Sequence, residues 1–199
     1  CTQGKNQSPV DIKDAYNYEH ARIKFDFEHL SNNVYFGAHG LVINFESAGF
    51  TLENHKYKLD QLHFHSPSEH RIAGKSFPLE AHFVNSDKDG NLAVISVLFR
   101  KGVENKNIQK LLNKISENKG KFVLRSFNEF TAKQLLPRTK KYYHLNGSLT
   151  TPPCSEGVLW LVMQHQVTIS AAQIDALQDL LKAPNNRPIQ PINARIITR

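Results

Sequence analysis

Five runs of the chain concentrate Val, Ile, Leu, Phe and Tyr between turn-forming Gly, Pro, Asn and Asp, and they constrain the fold more than any other feature. The runs are residues 39–46, 57–65, 79–85, 92–100 and 157–167. β-Branched and aromatic residues suit a pleated, half-buried surface, so bounded runs of this length read as strands. Three of the four connections between them are 13 residues or shorter, with little or no room for a helical crossover of a dozen or more residues, which predicts mainly antiparallel pairing. Two other segments carry the helical period. Ile108, Leu111, Leu112 and Ile115 recur at i, i+3, i+4 and i+7. Ile174, Leu177, Leu180 and Leu181 do much the same after Ser170, with Gln173 three residues on as a capping box. Both helices have polar outer faces and must lie on something larger. The expected fold is mainly β (α+β): a single domain over residues 1–199, built on a large, mostly antiparallel twisted central sheet with a few peripheral helices.

Composition narrows the function classes. A chain of 199 residues can bury roughly 70% of the surface it exposes when unfolded, enough for a core without staples. It contains no run of 18 apolar residues, the length a membrane-spanning helix needs. Lys and Arg exceed Asp and Glu by 25 to 18, a net charge of +7. They are spread along the chain with only short clusters such as Arg138, Lys140 and Lys141, and no helix-turn-helix, RNA-recognition or zinc-finger pattern accompanies them. The charge reads as a solvated basic surface, and nucleic acid is not an expected partner. The chain opens on Cys1 without a charged-then-apolar leader, so the expectation is a leader already removed or a trimmed start; a lipidated Cys1 stays open.

Residues two apart in a strand share a face. Across 57–65 that rule puts Leu59, Gln61, His63 and His65 together, with Leu62 and Phe64 opposite. In the next run Leu79, Ala81 and Phe83 face one way while Glu80, His82 and Val84 face the other. If the two strands pair with their apolar faces in agreement, His63, His65 and His82 converge. Three imidazoles suit a divalent metal such as zinc and leave a fourth position for water; cobalt fits the same site. Gln61 and Glu80 each sit two residues before a ligand on the same face, where an oxygen can orient a metal-bound imidazole through its other nitrogen. Neutral ligands leave the metal its full charge, which brings the pKa of bound water down to about 7. The pattern therefore favours a hydrolytic or hydration enzyme over a structural site, since structural zinc sites are usually Cys-rich and only two Cys occur here.

These residues resemble the alpha-class carbonic anhydrases, most closely the bacterial secreted or periplasmic members. The similarity runs in order through Gln7-Ser8-Pro9-Val10-Asp11-Ile12, Gln61-Leu62-His63-Phe64-His65, Ser68-Glu69-His70 and Glu80-Ala81-His82-Phe83-Val84. It continues through Asn146-Gly147-Ser148-Leu149-Thr150-Thr151-Pro152-Pro153-Cys154 and Asn185-Asn186-Arg187-Pro188-Ile189-Gln190-Pro191. The resemblance implies an alpha-carbonic-anhydrase-like fold and a zinc lyase that hydrates carbon dioxide reversibly to bicarbonate and a proton. His63, His65 and His82 would bind Zn(2+). Thr150 would accept a hydrogen bond from zinc-bound hydroxide and donate its own to Glu69, aiming a lone pair at the carbon of carbon dioxide. Val84, Val94, Leu149, Thr151, Val158 and Trp160 would line the substrate pocket, as an apolar substrate requires. His39, in Ala38-His39-Gly40, matches the family's proton shuttle, and a pKa near 6.5 suits two-way transfer at neutral pH. Inhibition by sulfonamides also follows from the resemblance.

Departures from the family pattern are specific. Gly37 and Val42 stand where Asn residues often flank the shuttle, which puts proton-transfer efficiency in question, and Ser66 stands where many animal members carry Trp. The family's aromatic N-terminal segment is absent upstream of Gln7, and with it a Tyr that lines the cavity in relatives. Cys1 and Cys154 match the family's single disulfide in exported members, which implies a periplasmic or extracellular location. Bacterial relatives often form homodimers; no residue here decides that point. Two other readings stay open: a non-catalytic binding module of the same fold, and a zinc esterase acting on another substrate.

Overall fold

The computed structural model describes residues 4–37, 40–117, 123–125 and 130–199. In chain order the strands are β1 (Asp11–Ile12), β2 (Lys24–Asp26), β3 (Ser31–Gly37), β4 (Gly40–Phe45), β5 (Gly49–Leu52), β6 (His55–His65), β7 (Arg71–Ile72), β8 (Leu79–Ser86), β9 (Leu92–Lys101), β10 (Val123–Arg125), β11 (Tyr142–Ser148), β12 (Glu156–Met163) and β13 (Val167–Ile169). Helix α1 (Lys106–Glu117) follows β9, and α2 (Ala171–Leu181) follows β13. Eleven strands form one sheet with the central order β10-β3-β4-β6-β8-β9-β12-β11. Strands β4, β6, β8 and β9 pair antiparallel. Strands β12 and β13 run parallel to β9. The run expected to be one strand at 157–167 is thus two pieces, separated by a turn after Met163, that pair at successive stretches of β9.

The alternation of side chains divides the core into two layers. Leu62, Phe64, Leu79, Ala81, Phe83, Ile95 and Val97 belong to one buried layer, which α1 joins through Ile108, Leu111 and Ile115. Val84, Val94, Leu98, Val158, Trp160 and Val162 belong to the other, smaller layer. Helix α2 begins as the sequence indicates, with Ser170 Oγ accepting from Gln173 N–H and the capping box closed. It ends on Lys182 in the left-handed region (φ 52°).

One expectation fails at a bulge. The register between β6 and β8 shifts between Leu59 and Gln61. Leu59 therefore turns into the layer of Leu62 and Phe64 instead of sharing the face of His63, and Asp60 takes its place beside Gln61 at the rim of the cavity described below. An extra residue in one strand reverses the parity on one side of it.

The smaller layer is locked to the N-terminal motif. Ser8 N–H donates to Ser148 Oγ at 2.9 Å and Ser148 N–H donates to Ser8 Oγ at 3.2 Å. Trp160 Nε1 donates to the Ser148 carbonyl at 3.1 Å. Gly147 sits between them, and a Cβ there would lie 2.1 Å from Ser8 Oγ and 2.8 Å from Trp160 Cδ1. Gly147→Ala is expected to cost about 1–3 kcal/mol by forcing this overpacked site apart, read as a lower urea midpoint at unchanged slope.

Candidate metal centre

The three histidines meet because β6 and β8 pair in one register. His63 lies directly opposite His82, and His65 lies opposite Glu80. All four are buried, and a ring nitrogen from each of the three histidines lies within 4.8 Å of the other two. A slip by one residue would send all of them to the opposite layer.

The outward nitrogens of His65 and His82 are already engaged, and this selects which of their nitrogens face inward. His65 Nδ1 lies 3.0 Å from the Asn185 carbonyl oxygen. His82 Nε2 lies 2.8 Å from Glu80 Oε1. The opposite atoms, His65 Nε2 and His82 Nδ1, both point toward Glu69 Oε2, at 3.6 and 3.8 Å. An imidazole whose outer nitrogen donates to an oxygen presents a lone pair on the inner one, the form a metal requires. With His63, also buried, they make three imidazole donors that fit a zinc-type ion with an open fourth position. A second trio, His70, Glu80 and His82, is equally close, but it is a hydrogen-bond network: Glu80 Oε1 accepts from both rings at 2.8 Å.

Glu80 is the hub beneath the site. Its Oε2 accepts from the N–H groups of Glu69 (2.7 Å) and His70 (2.8 Å), and its Oε1 also accepts from Ser96 Oγ (2.6 Å). Burial alone would raise its pKa, yet His70 and His82 hold it well below the ordinary carboxylate value. Burial is also the largest influence on His82, lowering its pKa against the pull of Glu80 and keeping the ring neutral. Trp160 closes the layer, its ring centroid 4.6 Å from His70 and 4.9 Å from His82.

Glu69 is placed by a segment remote in sequence. Its Oε1 accepts from Arg187 N–H at 2.7 Å, and the Arg187 guanidinium donates to the Ser8 carbonyl at 2.7 Å. Burial raises the Glu69 pKa, opposed by His82, the Arg187 N–H and a hydrogen bond from the Thr150 side chain. The Thr150 hydrogen bond favours the ionised carboxylate; Glu69 Oε2 itself is buried without a hydrogen-bond partner among the described residues.

A cavity of about 300 Å³ opens onto His63, His82 and Thr150. Val84, Val94, Leu149, Thr151 and Trp160 line it, as the family resemblance implies. Val158 does not line it; that residue is buried behind, in the smaller layer. Leu92, Pro152 and Asp60 complete the wall. Leu92 was findable from its parity with Val94, whereas Asp60 depends on the bulge. Gln61 also lines the cavity, but its Oε1 is buried without a hydrogen-bond partner among the described residues. A larger groove of about 760 Å³ near Tyr18, His20 and Lys140 shares no residue with this cavity and contains no ligand trio among the described residues. His39 and Cys1 lie outside the described residues; Cys154 is buried.

Comparisons with known proteins agree with this geometry. The family model described as eukaryotic-type carbonic anhydrase matches residues 1–199. A carbonic anhydrase of Pectobacterium atrosepticum is 42% identical over 199 residues, covering 99% of this chain and 81% of that protein. The structure of the Photobacterium profundum alpha-carbonic anhydrase superposes with a TM-score of 0.91 at 38% identity, covering 100% of this chain and 91% of the other. That of the Thermovibrio ammonificans alpha-carbonic anhydrase, in complex with sulfanilamide, gives 0.90 at 35% identity, covering 100% and 89%. Likeness of this extent, in sequence and in backbone together, places the chain in the alpha-class, eukaryotic-type carbonic anhydrase family, whose members interconvert carbon dioxide and bicarbonate.

Proposed function

We propose that the metal of this chain is zinc, held by His63, His65 and His82, and that the centre hydrates carbon dioxide with proton transfer to solvent through His39. The carrying observation is the convergence of three buried imidazole nitrogens at a cavity walled by Val84, Val94, Leu149 and Trp160. When bound, zinc supplies a Lewis acid that lowers the pKa of water to about 7. The chain's own residues do the rest. The apolar wall accepts carbon dioxide without desolvating a polar group. Thr150 lines the cavity, and its hydroxyl, by donating a hydrogen bond to the Glu69 carboxylate, would keep its oxygen as the acceptor toward the reacting oxygen. Asn185 and Glu80 hold His65 and His82 in the ligating orientation.

Sulfanilamide is bound by the Thermovibrio ammonificans relative, and the same class of inhibitor is proposed to bind here. A Cys1–Cys154 disulfide would put the protein in an oxidising compartment, periplasmic or extracellular. In the chain-entropy model it would add about 5 kcal/mol of stability.

Stopped-flow hydration assays on zinc-loaded protein test the activity; rates no higher than those of metal-stripped protein would refute it. His39→Ala should lower turnover in weak buffer and recover with added imidazole; absence of rescue rules out the shuttle. A narrow apolar cavity also predicts that hydration outpaces hydrolysis of bulky esters, measured on the same preparation.

A further inference from the structure

The end of the β6–β8 pair carries a device that the reaction itself does not require. The ladder closes at His65 opposite Glu80, and one residue further on stands Ser66, fully buried. The backbone of Ser66 pairs with Asn185. Ser66 N–H donates to Asn185 Oδ1 at 2.8 Å, and the Ser66 carbonyl accepts from Asn185 N–H at 3.2 Å. Asn185 Nδ2 donates to the Phe64 carbonyl at 3.0 Å. Asn185 thus behaves as a one-residue strand laid along both flanks of His65.

The Ser66 hydroxyl takes up what remains. It donates to the Pro78 carbonyl at 2.7 Å and accepts from Gln178 Nε2, on α2, at 3.2 Å. A chain of two hydrogen bonds therefore ties the helix to β6 just after His65 and to β8 just before Glu80 and His82. Removing the hydroxyl would take one partner from the half-buried Pro78 carbonyl and Gln178 amide and break the tie between α2 and the two strands.

We infer that Ser66, fixed by Gln178, is a positioning residue for the metal ligand His65: it holds the ends of β6 and β8 together and so sets how tightly the trio retains its metal. This rests on the reading of His63, His65 and His82 as zinc ligands. Partners that orient ligands typically govern metal affinity by about 10–100-fold.

The experiment compares wild type, Ser66→Ala, Gln178→Leu and the double variant, all as full zinc-loaded chains, by the rate of zinc release to excess chelator. Both single variants are expected to release zinc about tenfold faster, the low end of that range. The double variant should be no faster than Ser66→Ala, because both changes break one chain of bonds. The visible spectrum of the cobalt-substituted protein should change in the same variants, reporting altered ligand geometry. Gln178 is only half-buried, so Gln178→Leu keeps the test alive if Ser66→Ala fails to fold. Wild-type release rates in the single variants, or additive losses with an unchanged cobalt spectrum, would overturn the inference. A wild-type protein that holds no zinc would overturn the zinc reading instead.

Discussion

His82→Ala is expected to abolish metal retention and bring carbon dioxide hydration down to the metal-free background. The loss should exceed the roughly 10–100-fold that follows from removing an orienting partner, because a direct ligand disappears. His82 is tied firmly to the scaffold, with Nε2 on Glu80 and the ring against Trp160. Metal analysis after dialysis gives the first readout and stopped-flow hydration the second. The fold should survive, since Glu80 keeps the two backbone N–H donors together with His70 and Ser96. A His82→Ala protein that keeps stoichiometric zinc and wild-type hydration would exclude the His trio as the metal site.

Glu80→Ala is expected to carry the largest stability cost of any single change at the site. Five donors lose their acceptor at once: two backbone N–H groups, the rings of His70 and His82, and the Ser96 hydroxyl. Removing one side of a buried charged network typically costs about 3–5 kcal/mol. Glu80→Gln should recover only part of that, because an amide turned either way sets its NH₂ against donors. The acid limb provides a second readout in metal-free protein. The carboxyl pKa lies well below 4.5 in the folded state, so ionised Glu80 contributes fully above the unfolded value. That contribution is lost as pH falls through the folded value. Glu80→Ala should therefore flatten the acid dependence of stability as well as lower the plateau at neutral pH. Urea unfolding across pH checks both; a variant within about 1 kcal/mol of wild type, less than a single orphaned buried donor tends to cost, would refute the hub role.

The shared faces of the histidine trio were legible before any fold was known because strand parity is a local property. His63, His65 and His82 obey the period of two, and so does Glu80, which makes the contact to His82 that its spacing predicts. Helices α1 and α2 were equally plain, since their apolar stripes and the Ser170 capping box are written in adjacent residues. Strands β3 and β11 escaped notice. Ser31-Asn32-Asn33 and Asn146-Gly147-Ser148 are poor strand formers by composition and take strand geometry from the neighbours they pair with.

Parity also has a range, and Asp60 marks its limit. Counting by twos from His63 puts Leu59 in the site, but the bulge ends the count and puts Asp60 there. Val158 shows a second limit: alternation assigns a face, and a face contains both a cavity wall and the packing behind it. Gln61 shares the site face as counted, yet its carbonyl oxygen makes no hydrogen bond among the described residues.

The amino-acid order alone determined the strand-rich class, the two helices and the shared face of His63 with His65 and of Glu80 with His82, because each is carried by residues within a few positions of one another. Only the tertiary structure decided the rest. Asn185 reaches His65 across 120 residues, Arg187 reaches Glu69 across 118, and Ser8 meets Ser148 across 140. Those contacts depend on sheet order and loop path, which no local period encodes; they arise where buried polar groups must find partners once the chain has closed over them.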